Sequence, residues 1–335
     1  MLHLDQAAVA AALPWHDLIE ALAEMFRTGC SAPLRHRHSL PGEAMLLLMP
    51  AWSTGGYSGV KIVHVHPGNA ALGRPAVHAT YLLSSAETGE PIALLDGAEL
   101  TDRRTAAASV LAARFLARRD ARRLLLFGAG RIAAALAECY AACFALQEIA
   151  ITSRSPARAE ALAARLAARG LPARATRHPD PARADIISCA TLAREPLLRG
   201  ADLRPGTHLD LVGAFRPDMR EADGAALARA RLFVDTRAGA MAEAGDILQA
   251  IAEGAITPAA ILGELADLCR GSLPGRTAEE EITAFKSVGW AGEDLAAAVL
   301  AARRACARSR PAAAEADQAA SASADAEGGG HGGSG

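Results

Sequence analysis

Residues 123–143 constrain this chain most: the run RLLLFGAGRIAAALAECYAAC places five strand-forming residues directly before GxGxxA, followed by a helical pattern. A strand that turns on glycine into a helix is the phosphate-binding unit of dinucleotide folds. Gly128 permits the tight turn, Gly130 lets a pyrophosphate approach the backbone, and Ala133 lets the helix pack close to the strand. Arg131 and Ile132 open that helix, whose N-terminal N–H groups face the phosphates. Further apolar runs at 148–152, 173–177, 185–189, 208–212 and 232–235 alternate with helical stretches, beginning with 156–169. Strands that alternate with helices predict a parallel, doubly wound sheet of Rossmann type.

The end of the second strand selects the cofactor. NAD sites usually carry Asp or Glu there for the ribose 2′-hydroxyl. Residues 151–158 read ITSRSPAR and hold no acid. Ser153 and Ser155 flank Arg154, and Arg158 follows one helical turn later, which is a donor set for a 2′-phosphate. NADP(H) is therefore the expected cofactor, with NAD(H) the alternative. Ser155 also suits the N-cap of the following helix.

Residues 1–29 read as a helix, with Leu18, Ile19, Leu22 and Met25 at helical spacing. Between 30 and 100, apolar runs at 44–49, 58–64, 76–83 and 91–95 are separated by turn-rich pieces, which predicts a mostly antiparallel sheet. Strand alternation puts Lys61 on one face and His64 and His66 on the other. A helix over 101–119 opens with Thr101 as N-cap, helical pattern returns from Ala240, and a last helix spans 289–304. Residues 311–335 are low in complexity and predict disorder. At about 150 residues per domain, 335 residues give two domains.

Net charge is −2, from 35 basic and 37 acidic residues, which argues against nucleic acid or an anionic membrane as partner. No charge-free apolar run is long enough to cross a bilayer, and the N-terminus lacks the basic start of a signal peptide. The six cysteines are scattered with no CxxC pair, which predicts a reduced, cytoplasmic protein. His64-x-His66 lacks a third ligand in the sequence, so no metal is expected. Only two of the 35 basic residues are lysines, Lys61 and Lys286. Arginine does not replace a lysine that must act as a compact charge or lose a proton. Both lysines are therefore candidates, Lys61 before Lys286.

Seven segments then resemble one family in order: LLLMPAW (46–52), GVKIVHVHPGN (59–69), ALLDGAELTDRRTAAASVLAARFLA (93–117), GAGRIA, VGAFRPDMRE (212–221), AGD (244–246) and FKSVGWAGEDLAAA (285–298). They resemble the ornithine cyclodeaminase / mu-crystallin family over roughly residues 1–310. The resemblance implies a homodimer whose Rossmann domain (119–289) is inserted into an α+β substrate-binding and dimerisation domain (1–118 plus 290–310). It implies that Arg104 holds the substrate carboxylate, that Lys61 stands beside the reacting centre, and that Arg35, or Arg37 two residues on, binds the carboxylate too. Thr105 and Ser287 match positions near the cofactor in that family, and Thr191 and Val212 are expected as further cofactor contacts. Lys61, Arg104 and Arg35, unmatched by local acids, suit a small anionic imino or amino acid.

In cyclodeaminases of the family an aspartate in the loop after the fifth strand works on the substrate's amino group. Here that position is Phe215, which cannot act as a general base. Asp218 nearby belongs to a PDxRE pattern shared with the reductase-like members, and Asp246 is read as either a loop-orienting or a helix N-terminal acid. The expected activity is NADPH-dependent reduction of Δ1-pyrroline-2-carboxylate or Δ1-piperideine-2-carboxylate to L-proline or L-pipecolate. The alternatives are an ornithine cyclodeaminase with bound NAD, a related amino-acid dehydrogenase or opine-type synthase, and a non-enzymatic NADP-dependent binding protein.

Overall fold

A computed structural model describes residues 1–54 and 56–309. The tail at 311–335, expected to be disordered, lies outside the described residues. The chain starts with β1 (Leu2–Leu4), α1 (Gln6–Ala12) and α2 (Trp15–Thr28). The single helix expected over 1–29 is thus a strand and two helices. Asp5 caps α1 by accepting from Ala8 N, and Pro14, lacking an N–H, forces the restart before α2.

Then come β2 (His36–Ser39), β3 (Met45–Trp52), β4 (Tyr57–Val65), β5 (Val77–Ser85), β6 (Pro91–Asp96) and α3 (Gly97–Leu116). Among the described residues they form a six-stranded sheet in the order β1-β6-β5-β4-β3-β2, antiparallel except for the β1–β6 pair. Helix α3 begins four residues before the predicted cap. Asp96 is its N-cap, accepting from Glu99 N, and Thr101 sits in the first turn with its hydroxyl donating to Gly97 O.

The remaining elements are β7 (Arg123–Phe127), α4 (Arg131–Cys143), β8 (Glu148–Thr152), α5 (Pro156–Ala167), β9 (Ala173–Ala175), β10 (Ile186–Cys189) and β11 (His208–Leu211). After them come α6 (Gly224–Ala228), β12 (Ala230–Val234), α7 (Arg237–Glu243), α8 (Gly245–Ala252), β13 (Ile261–Glu264), α9 (Leu265–Arg270), β14 (Ile282–Lys286) and α10 (Ala291–Ser309). The second sheet is all parallel, in the order β13-β12-β14-β11-β10-β7-β8-β9. Strand order reverses between β7 and β10. In open parallel sheets ligands bind at such a switch point, outside the carboxyl ends of the strands.

Helix α10 leaves the second sheet and packs on α2, α3, β3 and β4 of the first. The inward face of the first sheet carries Met49, Ala51, Lys61, Val63, Tyr81, Leu83, Ala93 and Leu95, all buried. The outward face carries Leu46, Leu48, Val60, Ile62, Leu82 and Leu94, all half-buried and adjacent in register. Such a contiguous apolar face is a candidate interaction surface. No helix among the described residues is long and apolar enough to cross a membrane.

Candidate active site

Lys61 in the middle of β4 is 1% exposed, and Arg104 in the second turn of α3 is 6% exposed. Both reach one carboxylate. Lys61 Nζ donates to Asp294 Oδ1 at 2.8 Å and Arg104 Nε donates to the same oxygen at 2.9 Å. Arg104 Nη1 donates to Glu293 Oε2 at 2.7 Å, and neither Arg104 bond uses Nη2. Asp294 and Glu293 stand in the first turn of α10. Arg35 lies at the edge of this group, with Nε 3.0 Å from Glu243 Oε2 and Nη2 donating to Val288 O and Gly289 O.

The expectation that these cations lack local acids is therefore wrong. Their partners are distant in sequence and arrive with α7 and α10. Arg37 lines a separate cavity of about 550 Å³ with Arg194 and Arg216 and acts on Glu243 by its charge alone, whereas Arg35 pairs with Glu243 and feels the charge of Arg104.

Burial and the neighbouring Arg104 charge push the Lys61 ammonium down to about 8, against the pull of Asp294. Burial pushes the Glu293 carboxyl up to about 7, against the pull of Arg104. Burial disfavours the Arg104 cation, but the two carboxylates outweigh it and hold the guanidinium charged. Gly289 has φ +89°, and a Cβ there would lie 2.8 Å from Arg104 Nη1. Asp235 fixes this turn by accepting from Val288 N at 2.7 Å and Gly289 N at 2.6 Å.

A cleft of about 500 Å³ opens between the two sheets, lined in part by Arg35, Met49, Asp235, Glu243 and Trp290. Phe215, partly exposed, follows β11, and the next residues form the Arg216–Asp218 ion pair. His64 is exposed and stacks on His66 at 6.1 Å between ring centroids.

The glycine loop fits a dinucleotide pyrophosphate. Gly128 has φ +120°, and a Cβ there would lie 2.5 Å from Ala190 O and 3.7 Å from the Ala133 methyl. Gly130 is the N-cap of α4, with no side-chain cap, no acid in the first turn and open space where a Cβ would stand. Arg131 pairs with Asp102 of α3 at 2.5 Å, so its guanidinium is engaged while its backbone opens the helix beside Ile132. Ser155 is the N-cap of α5, but its hydroxyl makes no cap bond. Ser153 Oγ donates to Ser155 O at 2.6 Å. Arg154 and Arg158 are exposed, and no ion pair with an acid occupies either among the described residues. Thr105, Val212 and Ser287 are buried, and Thr191 is half-buried just beyond the end of β10.

The chain matches the ornithine cyclodeaminase/mu-crystallin family over residues 4–308. It belongs to this family. A Δ1-pyrroline-2-carboxylate reductase of Paracoccus denitrificans is 41% identical over 300 residues, which cover 87% of this chain and 93% of that protein. The Δ1-pyrroline-2-carboxylate reductase of Thermococcus litoralis, solved with NADH and L-proline, superposes with a TM-score of 0.88 at 32% identity, covering 92% of this chain and 98% of that one. An archaeal alanine dehydrogenase dimer with bound NAD superposes at 0.86 and 30% identity, covering 92% and 97%. The fold is thus the expected Rossmann-type sheet joined to a second α+β unit.

Sequence reasoning missed Asp294, Glu293, Glu243 and Asp235. An acid pair at a helix start reads as dipole compensation. The GWAGED segment was the available signal.

Replacing Asp294 by Asn leaves two buried cations without their shared countercharge. The expected loss of unfolding free energy is about 3–5 kcal/mol, read from urea denaturation. A loss within about 0.5 kcal/mol, as at an ordinary surface site, shows that the pair does not carry this role.

Proposed function

We propose that this family member reduces a cyclic 2-imino acid, Δ1-pyrroline-2-carboxylate or Δ1-piperideine-2-carboxylate, to L-proline or L-pipecolate with NADPH. The chain is an oxidoreductase acting on C=N groups. The observation that carries the reading is the buried Lys61–Asp294–Arg104 group beside a glycine loop shaped for a dinucleotide. The reduced nicotinamide, when bound, supplies a hydride to the imine carbon. Arg104, with Nη2 outside its carboxylate bonds, and Arg35 bind the substrate carboxylate. Lys61 delivers the proton that the imine nitrogen takes up, and Asp294 orients the Lys61 ammonium and the Arg104 fork together. Burial of all three excludes water from the reacting centre. Phe215 offers no titratable group to the substrate's amino nitrogen, which favours reduction over cyclodeamination.

The NADPH preference rests on Ser153, Arg154, Ser155 and Arg158 at the end of β8, without an acid. The Thermococcus relative was solved with NADH. The pyrophosphate lies on the Gly128, Gly130, Arg131, Ile132 and Ala133 turn, and Thr105, Thr191, Val212 and Ser287 border the rest of the cofactor.

Residues 1–118 with 290–310 form the substrate-binding and dimerisation domain, and 119–289 the cofactor domain. The outward face of the first sheet pairs two copies of the chain. The protein works in the reducing cytoplasm, in keeping with free thiols at all six cysteines.

The deciding experiment follows NADPH absorbance with purified protein and each imino acid. Consumption of NADPH supports the reading. Ammonia release from L-ornithine with NAD, without imine reduction, overturns it. Three variants refine it. With Lys61 near 8, the protonated form that donates is lost as pH rises, so kcat/KM falls above about 8. Lys61→Met lowers kcat by about 10²-fold or more and removes that limb. Arg154→Ala with Arg158→Ala raises KM for NADPH roughly tenfold or more and leaves NADH unchanged, since each charge-assisted bond contributes about 1.5–3 kcal/mol. Ile62→Lys halves the mass in light scattering, and an unchanged mass places the pairing surface elsewhere.

A further inference from the structure

One fully buried carboxylate ties together the two loops that leave β10 and β11. Glu221 Oε1 accepts from Thr191 N at 2.7 Å and from Thr191 Oγ1 at 2.8 Å. Glu221 Oε2 accepts from Gly213 N at 2.7 Å. Gly213 has no room for a side chain, because Thr191 O and Glu221 Oε1 fill the place of its Cβ. Glu221 is itself held, since Asp246 Oδ1 accepts from Glu221 N at 2.6 Å and Ala222 N at 3.0 Å. Asp246 Oδ2 in turn lies 3.2 Å from Lys286 Nζ, and all three side chains are inaccessible to solvent.

This chain of contacts runs from β14 through α8 to the edge of the switch-point crevice. It gives the second lysine of the sequence a buried partner, Asp246, at the end of β14. It also resolves Asp246, which sits at the start of α8 and orients the loop at the same time. Three hydrogen bonds satisfy both oxygens of this buried carboxylate. Their donors follow β10 and β11, which pair in parallel as far as Cys189 and Leu211, and the carboxylate continues that link beyond the strand ends.

We propose that Glu221 is a positioning residue, which fixes the Thr191 and Gly213 loops relative to each other and thereby sets the affinity for the reduced nicotinamide cofactor. The inference rests on the reading of this crevice as a nicotinamide site. The ionised form accepts from both loops, whereas a protonated carboxyl turns one oxygen into a donor facing an N–H. Groups facing Glu221 are Asp246 on α8, Lys286 on β14 and the Cys189 thiol on β10, with Asp210 of β11 within range of Lys286. Burial and Asp246 raise the Glu221 carboxyl to about 7, against Lys286. Cofactor affinity therefore weakens as pH falls through that value.

The test is titration of NADPH fluorescence with the full chain, a unit below and a unit above that midpoint. Unsubstituted protein binds more weakly on the acid side. Glu221→Gln binds about tenfold more weakly on the alkaline side, as expected for loss of a hydrogen bond to a charged group, and loses the pH step. Its KM for NADPH rises while kcat at saturation changes little. Thr191→Val removes the hydroxyl's bond to Glu221 together with the one it accepts from Ala193 N, keeps the Thr191 N–H bond, and weakens binding about threefold, which keeps the test decisive if the Gln variant does not fold. Affinities and pH steps equal to those of the unsubstituted chain overturn the positioning role alone. Unsubstituted protein that binds no NADPH or NADH overturns both this role and the proposed function. Cofactor binding without imine reduction overturns the latter only.

Discussion

The Asp294 carboxylate is the point on which this architecture turns. It accepts from Lys61 of β4 and Arg104 of α3 through a single oxygen, with both cations out of solvent. Two buried cations of like sign repel strongly at low dielectric, and each loses its hydration. Their coexistence requires anions of equal depth, and the first turn of α10 supplies two. That requirement explains why the last helix abandons the parallel sheet and returns to the first one. It also explains why Lys61 ends with a proton that it can release near neutral pH, since Asp294 recovers only part of what burial and Arg104 take away.

Much of this was readable from local pattern. The glycine loop, with β7 and β8 on either side of it, needs only residues close in sequence, and the predicted strands at 123–127 and 148–152 coincide with β7 and β8. The four central strands of the first sheet were likewise legible from apolar runs between turns. The scarcity of lysine pointed correctly to two special environments, since Lys61 and Lys286 are both fully buried and paired to aspartate. The face assignment of Lys61 against His64 held because a strand's alternation leaves no choice.

What escaped was long-range. Strand β14 has five residues and lies between β11 and β12, a neighbourhood that no local rule specifies. Strand β2 is polar and exposed at a sheet edge, so it carries no apolar signal. The acids of the site lie 190 and 233 residues from the cations they meet, and read locally they are helix N-terminal charges. Glu221 escaped for a similar reason, because its partners are two backbone N–H groups and one hydroxyl, and nothing in the local sequence pairs them with it. The failed idea of unpaired cations came from counting only neighbours along the chain.

The return of α10 has a consequence for how the molecule comes into being. A ribosome delivers Lys61 and Arg104 long before residues 293 and 294, and the whole parallel sheet is synthesised in between. Until then the inward face of the first sheet has two cations and no anion to meet them, so it cannot close. The parallel sheet waits as well, because β14, which lies between β11 and β12, is synthesised only just before α10. Both halves therefore wait for β14 and α10, and synthesis itself delays the assembly of the buried Lys61–Asp294–Arg104 group until those elements exist.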